Sequence, residues 1–317
     1  MLWKNIRNLV VGLIASMLTV SAAEAAWPEK PVTLIVPFGA GGGTDISARL
    51  MANMIEKKIG KPIVVQNISG AGGTQGVSTL ASAKADGYTF AYVPVGTMCQ
   101  QPHLMRLPYG VDDFQFIGMV MRQPVVVMAG NNAPWKNFAE FLKMVKENPN
   151  KYVVGITGKG NMNHTPMLSL AKHFDLKLRF IPYRNAAEVF KDMMAGRTHL
   201  FADAPAALSS YDIFGMAQFA AERAANLPDI PTAKECGMDA VFSHWQGVIA
   251  PKGIPAEAFE GMEKVVKEVV TSEEFKNEAA RLKTNANWMS SADFTALYYK
   301  ELQDYKTILQ ENGLIKK

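Results

Sequence analysis

Two glycine-rich segments, each placed directly after an apolar run, have the residue types needed to bind an anion. The first follows residues 32–36, and its candidate ligand contacts are Phe38, Gly39, Ala40, Gly41, Gly42, Thr44 and Asp45. The second follows residues 63–65, and its candidates are Gly72, Gly73 and Thr74. Glycine lets the backbone approach a ligand closely, and the first turn of a following helix offers unpaired N–H groups and a positive dipole end. The two segments therefore predict an anion-binding site at helix N-termini.

Nucleotide-binding motifs do not fit these segments. A phosphate-binding P-loop needs a lysine followed by serine or threonine, but Gly43 is followed by Thr44 and Asp45. A dinucleotide fingerprint counted from Gly39 would need a glycine at Thr44, and its ribose-binding acid would fall at Gln66. The residue types favour a carboxylate cradle without a cofactor, although any one loop taken alone could be only a tight turn.

Polar residues after later strands extend the candidate site. A third glycine-containing segment follows the strand predicted at 152–156, and its candidates are Thr157, Lys159, Gly160, Asn161 and His164. Lys159 could pair with a second anionic group, and His164 either contacts ligand or braces its loop. Thr97 and Asp203 each follow a strand of their own. Asp45 is more simply explained as a helix cap or dipole partner than as a ligand contact.

The sequence predicts neither a catalytic centre nor a metal site. Ser69 lacks the Gly-x-Ser-x-Gly spacing of a nucleophile elbow, and the five histidines show no metal-binding spacing. One enzyme alternative stays open, an exported hydrolase or transferase that uses His164 and Asp203 as an acid–base pair.

The N-terminus has the three parts of a secretory signal peptide. Lys4 and Arg7 precede an apolar run over residues 9–20, and an Ala-x-Ala site predicts cleavage after Ala25. No lipoprotein cysteine follows, so we expect a free periplasmic protein. Removing residues 1–25 takes away two of 33 basic and one of 29 acidic residues, which leaves 31 and 28. A net charge of +3 does not indicate nucleic-acid binding. An oxidising periplasm would permit a disulfide between Cys99 and Cys236, but two separate thiols are preferred.

Strands that alternate with helices predict an α/β protein with parallel-rich sheets. A composition change near Pro124 indicates a crossing into a second domain, and two amphipathic helices after Pro255 are expected to return to the first. We predict a first domain of residues 26–124 plus 248–317 and a second of 125–247. Two crossing strands would form a hinge.

The motifs also resemble one known family over essentially the whole chain. The motifs that carry the resemblance are residues 36–49, VPFGAGGGTDISAR; 70–76, GAGGTQG; 86–89, DGYT; 111–114, VDDF; 182–184, PYR; 227–232, LPDIPT; and 250–255, APKGIP. These motifs follow one another along the chain in the same order as in that family. The sequence is similar to the substrate-binding receptors of tripartite tricarboxylate transporters, also called the Bug family.

The resemblance implies a periplasmic receptor with a Venus-flytrap fold of two α/β domains, and we expect it to be a monomer and not an enzyme. Its ligand would be a di-, tri- or aromatic carboxylate, and its partner the permease subunits or, alternatively, a sensor kinase. It implies that Phe38 to Thr44 and Gly72 to Thr74 grip one carboxylate, partly through ordered water, while the third loop and Asp203 set selectivity. The sequence departs from the family pattern at three places. Lys159 and Asn161 stand in the segment where the family usually has a Gly-x-Gly-Ser element, and Gln66 stands where a glutamate is common. The third departure is Ala204-Pro205 after Asp203.

Overall fold

The computed structural model describes residues 27–282 and 284–316, so the predicted signal peptide lies outside the described residues. The strands are β1 (Val32–Val36), β2 (Ile63–Asn67), β3 (Thr89–Pro94), β4 (Phe114–Pro124), β5 (Val126–Gly130), β6 (Val153–Ile156), β7 (Arg179–Pro182), β8 (Leu200–Asp203), β9 (Ile213–Gln218), β10 (Ser243–Pro251) and β11 (Ala286–Met289). The helices are α1 (Gly43–Ile59), α2 (Thr74–Ala81), α3 (Gln101–Leu104), α4 (Phe138–Glu147), α5 (Thr165–His173), α6 (Ala186–Met194), α7 (Ala256–Val270), α8 (Glu273–Arg281) and α9 (Ser291–Glu311). These elements form two lobes, each built on one sheet.

The first lobe is built on a sheet with the strand order β11-β4-β10-β3-β1-β2. Strands β1, β2 and β3 run parallel, whereas β10 is antiparallel to both of its neighbours. Alternate residues of β1 bury opposite faces: Leu34 packs in the core with α1 and α7, and Ile35 packs in the core with α2 and α9. Because both faces are covered at the centre of the sheet, β1 and β3 are buried and apolar at most positions.

The second lobe is built on a sheet with the order β7-β6-β8-β5-β9. Strand β6 runs parallel to β7 and β8, and β5 runs antiparallel to β8 and β9. Phe141 of α4 and Met167 of α5 pack against one face, and Phe190 of α6 packs against the other. This lobe repeats the strand–loop–helix arrangement predicted from the sequence.

Two chain crossings connect the lobes. The first passes through Val125, between the last residue of β4 and the first residue of β5. The second passes through Phe219 and Phe242, and it is hydrogen-bonded to the first: Val125 donates to the carbonyl of Phe242 at 2.9 Å, and Phe219 donates to the carbonyl of Val125 at 2.8 Å. All of β10 pairs in the first sheet. The boundaries drawn at 124/125 and 247/248 stay a prediction.

Helix α9 contacts both lobes. Its Glu301 accepts hydrogen bonds from the indole of Trp245 at 2.6 Å and from the hydroxyl of Ser243 at 3.4 Å, and both donors lie on β10 just after the second crossing. Glu311, at the other end of the helix, pairs with Lys172 of α5 at 2.8 Å. The helix thus joins the crossing strands to the second lobe.

Both cysteines are free thiols. Cys99 is buried, Cys236 is half-buried, and the two are not bridged, as preferred from the sequence.

Within residues 27–282 and 284–316, we find no helix with the length and apolar character that a bilayer crossing requires.

Candidate functional site

The first glycine loop leads into the N-terminus of α1, which is open to solvent. Gly42 occupies the cap position, and no side chain caps the helix. The backbone N–H groups of Gly43 and Thr44 have no hydrogen-bond partner among the described residues. A helix of 17 residues places the positive end of its dipole at these two groups. The loop can therefore offer unpaired donors to an anion, as its sequence predicts.

Asp45 holds the first loop in place. Its carboxylate accepts from the backbone N–H of Gly41 at 2.8 Å, from Arg49 at 3.0 Å and from the amide of Asn67 at 2.8 Å. The Asn67 amide also donates to the carbonyl of Phe38 at 2.9 Å. Burial raises the pKa of Asp45, but the hydrogen bonds from Arg49, Gly41 and Asn67 outweigh it, and the pKa lies below its usual value. Asp45 does not cap the helix, because Gly42 has the cap position, but it lies in the first turn of α1, as a dipole partner would, and is buried and occupied by these contacts.

The second glycine loop packs directly against the first. Thr97 is buried and donates from its hydroxyl to the carbonyl of Gly72 at 2.9 Å. A methyl group on Gly73 would lie 2.5 Å from that hydroxyl and 3.1 Å from the ring of Phe38, so only glycine fits here. Thr74 uses its hydroxyl locally, on the carbonyl of Ala71 at 2.9 Å. Phe38, Gly72, Gly73 and Thr97 are therefore brought together in the structure, and their contact with a ligand stays a prediction.

A cavity of about 400 Å³ lies between the lobes, beside the N-terminus of α1. The first lobe contributes Gly43, Thr44, Ile46, Ser47, Met121, Gln123, His244, Gln246, Leu282 and Thr284, and the second contributes Asp203, Ala204 and Ala206. Of the candidate ligand contacts named from the sequence, Thr44 and Asp203 line this cavity. A pocket of this size is suited to a small organic molecule.

The floor of the cavity is one face of the β4–β10 pair. Gln123 lies opposite His244, and Met121 lies opposite Gln246, so that all four side chains point to the same side of the sheet. Gln246 is buried and accepts hydrogen bonds from Ser47 at 2.6 Å and from Tyr92 at 3.0 Å. Its amide nitrogen lies 3.4 Å from the hydroxyl of Thr44. The floor is thus fixed to the first two turns of α1.

Gln123 and Asp203 both line this cavity. Gln123 is 9% exposed, and its side-chain oxygen has no hydrogen-bond partner in the part of the chain that the structure describes. Asp203 ends β8, and its carboxylate accepts from the backbone N–H of Ala204 at 2.8 Å. Burial raises the pKa of Asp203 to about 6, against the opposing effect of hydrogen bonds from Ala204 and Asn163.

Comparison with known proteins identifies this arrangement. Residues 47–314 match the family model described as "Tripartite tricarboxylate transporter family receptor". The chain belongs to this receptor family. It is also similar to three solved structures. The periplasmic binding protein BugD is 28% identical, with a TM-score of 0.78 over 92% of this chain and 100% of BugD. Rpa4515 from R. palustris, solved with adipate, is 26% identical, with a TM-score of 0.81 over 90% and 98%. MatC from Rhodopseudomonas palustris, with bound malate, is 25% identical, with a TM-score of 0.76 over 89% and 100%.

The comparison confirms the predicted periplasmic-binding-protein fold and family. The receptor is a solute-binding protein of the tripartite tricarboxylate transporter class, and its two sheets, connected by two crossings, are the architecture predicted from the sequence. The crossing strands pair antiparallel because one leaves the first sheet where the other returns to it.

The third loop of the receptor is braced by its own side chains. The backbone N–H of Gly160 donates to Nδ1 of His164 at 2.9 Å, and Asn161 donates to the hydroxyl of Thr157 at 2.9 Å. His164 is buried, and burial together with the charge of Lys159 lowers its pKa to about 4. A neutral imidazole that accepts at Nδ1 carries its proton on Nε2. The bracing role considered for His164 is thus present in the structure.

The third loop does not line the cavity beside α1. Lys159 is exposed and forms no salt bridge with the described residues. Gly160 lies against the first lobe, where a methyl group would meet the side chains of Leu104 and Leu309 at 2.8 and 3.0 Å. Whether these residues contact the solute stays a prediction. In residues 27–282 and 284–316, no cluster of histidine, cysteine, aspartate and glutamate could hold a metal ion.

The sequence analysis did not single out Ser47, Gln123, His244 and Gln246. Gln123 and Gln246 did carry a signal, because each is a polar residue in a strand whose residues are mostly apolar. Burial lowers the pKa of His244 to about 4, so this side chain is neutral at pH 7.

Proposed function

We propose that this receptor captures a small organic carboxylate in the cavity between its lobes and delivers it to the permease subunits of a tripartite tricarboxylate transporter. The observation that carries the proposal is the open N-terminus of α1, whose Gly43 and Thr44 N–H groups are unpaired beside the cavity. A carboxylate would accept hydrogen bonds from both groups and interact with the helix dipole.

The second glycine loop supports the same proposal. It packs on Phe38 and Thr97 next to the first loop, and Gly72 is exposed. The adipate and malate in the structures of Rpa4515 and MatC are small dicarboxylates, so related proteins of the same fold hold this chemical class. Di-, tri- and aromatic carboxylates are all candidates for this chain.

The proposed mechanism is hinge closure. The lobes are connected through two crossings that are hydrogen-bonded to each other at Val125, so a rotation there would move one sheet relative to the other. A ligand that contacts Thr44 of the first lobe and Asp203 of the second stabilises the closed form by its differential contacts. Lys159 is proposed to approach a second anionic group on the solute.

The location, oligomeric state and lack of enzymatic activity proposed for this receptor rest on its family and its sequence. We propose that residues 1–25 direct export, that the mature receptor acts in the periplasm as a monomer, and that it carries out no reaction. The acid–base alternative is not favoured, because Nδ1 of His164 already accepts from Gly160. A group whose pKa is about 4 is also a weak general base at neutral pH.

The test is acid binding by the purified mature protein, residues 26–317. We expect thermal stabilisation by at least one member of a panel of mono-, di-, tri- and aromatic carboxylates, equivalent to about 2.7 kcal/mol at 100 times the dissociation constant. Calorimetry should give one site per chain, and mass spectrometry should recover the acid unaltered. The absence of any shift across the panel would contradict the proposal.

A variant at the helix N-terminus separates binding from folding. Thr44→Asp places a negative charge where it favours the helix dipole but repels an anion, so the variant should keep its stability and lose acid binding. Thr44→Ser, which keeps the hydroxyl, is the matched control and should bind as the wild type does. Equal binding by T44D and T44S would show that the acid is held elsewhere.

A further inference from the structure

We infer that the receptor has a second contact between its lobes, apart from the two crossings, and that this contact sets the affinity for solute by stabilising the closed form. The interlobe contact consists of residues 160–165 of the second lobe packed on Gln100, Leu104 and helix α9 of the first lobe. Gln100 is its positioning residue. The inference rests on the proposed hinge closure, but it concerns a contact between two parts of the chain rather than a contact with the solute.

The polar part of the interlobe contact is a fully buried hydrogen bond. The side-chain amide of Gln100 donates to the hydroxyl of Thr165 at 3.2 Å, and both residues are 0% exposed. The Thr165 hydroxyl donates in turn to the carbonyl of Asn161 at 3.1 Å. The side-chain oxygen of Gln100 has no hydrogen-bond partner among the described residues. Thr165 is therefore the group that satisfies the buried amide of Gln100 across the two lobes.

The apolar part of the interlobe contact packs the third loop on α3 and α9. Gly160 lies so close to Leu104 and Leu309 that a methyl group would not fit between them. Met162 lies beside Tyr305, whose hydroxyl is 3.4 Å from the Met162 sulfur. Tyr305 is itself buried. The third loop therefore covers apolar surface of the first lobe in this structure.

This contact has to break when the lobes open. Helix α9 belongs to the first lobe, because Phe294 and Tyr298 pack on Phe116 of β4 with ring centroids 5.1 and 4.3 Å apart. Residues 160–165 end at the first residue of α5, which belongs to the second lobe. A rotation about the crossings separates these surfaces and returns the side chain of Gln100 to water.

The turn that carries Gln100 also holds the second glycine loop. Residues Gly96–Gln100 form a single π-helical turn, a rare conformation that is frequent at functional sites. Thr97 of this turn donates to the carbonyl of Gly72, and Gln100 donates across the lobes. Neither residue lines the cavity beside α1. The turn thus joins a loop proposed to bind the acid to the interlobe contact.

Lobe closure and acid binding are coupled through this contact. The apparent dissociation constant of a receptor that binds in its closed form is the intrinsic constant divided by the closed fraction. A variant that weakens the interlobe contact therefore binds less tightly, although every contact with the acid is kept. The same variant is more open without any acid, which a contact with the solute alone would not cause.

The main test is Thr165→Val. In the closed form this variant leaves the buried amide of Gln100 without a partner, whereas water hydrates that amide in the open form. The carbonyl of Asn161 keeps its bond from the backbone N–H of Thr165 at 3.0 Å. By calorimetry, T165V should bind about tenfold less tightly than the wild type. By small-angle X-ray scattering without acid, its radius of gyration should be larger. Thr165→Ser keeps the hydroxyl and should match the wild type in both measurements.

The acid used is the member of the carboxylate panel that gives the largest thermal shift with the wild type. The control is Thr79→Val, the same substitution at an exposed position of α2, where the hydroxyl likewise bonds to a carbonyl four residues earlier. T79V should leave the affinity and the radius of gyration unchanged.

A second substitution should rescue T165V. The double variant Gln100→Met/Thr165→Val removes the amide as well, so no buried polar side chain lacks its partner at this place. Its affinity should return to within about twofold of the wild type, and its ligand-free radius should decrease again. Gln100→Glu is an independent test, because a carboxylate at this position is hydrated only in the open form. Q100E should bind more weakly and be more open than the wild type.

The outcomes separate this inference from the proposed function. If acids bind but T165V and Q100E keep the wild-type affinity and the wild-type ligand-free radius, the inference is overturned and the proposed function stands. The inference is also overturned if the affinity falls with no change in the ligand-free radius, or if the double variant restores neither quantity. If no acid of the panel binds to the wild type, the proposed function fails, and this inference fails with it.

Discussion

Asp45 fixes the conformation of the first glycine loop. Its carboxylate makes hydrogen bonds to Gly41, Arg49 and Asn67, and Asn67 in turn reaches the carbonyl of Phe38. The loop conformation that leaves the N–H groups of Gly43 and Thr44 free depends on this network. We therefore expect Asp45 to affect acid binding through the backbone of this loop.

We predict that Asp45→Asn destabilises the receptor and weakens acid binding together. The variant loses a charged acceptor that is 2% exposed, so the free energy of unfolding should fall by about 2 kcal/mol. Urea denaturation measures this change. Glu147→Gln removes an exposed charge that lies 4.0 Å from Lys143, and this control should change stability by less than about 0.5 kcal/mol. Equal effects of the two variants would contradict the role given to Asp45.

The pH dependence of stability should reflect His164. Its pKa is about 4 in the folded protein and about 6.5 when unfolded, so its contribution is fully present above pH 6.5 and is lost as the pH falls towards 4. The loss is at most about 3 kcal/mol. His244 has the same sign, and Asp203 the opposite one.

The measurement is the urea midpoint between pH 4 and 7 for wild type and His164→Gln. The variant should be less stable at pH 7 and show a flatter decline towards acid, because it has no imidazole to protonate. His173→Gln, at an exposed position, is the control and should follow the wild-type curve. A wild-type slope in the H164Q variant would exclude the buried neutral imidazole.

At the scale of elements, the two glycine loops form one unit because they pack on each other. Gly73 has φ +93°, and its missing side chain leaves room for Thr97 and Phe38. We predict that Gly73→Ala lowers the free energy of unfolding by about 1–3 kcal/mol and weakens acid binding, because the strain moves both loops. Thermal unfolding and calorimetry measure the two effects.

Gly110→Ala is the control for this variant. Its new methyl group would lie at ordinary contact distance, 3.5 Å or more, from the side chain of Asp113, and its backbone is not left-handed. The change should be small in both measurements. If G73A binds acids as tightly as G110A does, then the second loop does not contribute to the binding conformation.

The sequence predicted the strand–loop–helix units and the first loop well, because their signals are local. Turn glycines, β-branched runs and helix periodicity all lie within about twenty residues of one another. The cavity floor could not be predicted in this way. Gln123 and His244 become neighbours only through the antiparallel pairing of β4 with β10, across more than a hundred residues. A polar residue within a buried strand is a signal of function, but it does not reveal its partner.

At the scale of the whole molecule, closure should be visible in solution. We predict that the radius of gyration, measured by small-angle X-ray scattering, falls when a binding acid is added, because the lobes rotate about the paired crossings at Val125. T44D with the same acid is the control and should show no change. Binding by calorimetry without compaction would indicate that the cavity in this structure is already in its liganded form.

The way in which the two sheets are assembled also sets the order in which the chain can fold. All strands of the second sheet lie between Val126 and Gln218, so this sheet is complete once that continuous segment is available. The first sheet needs β10 and β11 from the far end of the chain, and α9 packs on β4 only after both. Its contacts are distant in sequence, which slows folding. The first lobe, which carries the glycine loops, therefore completes its sheet last. During folding, the strands of this sheet stay unpaired longest.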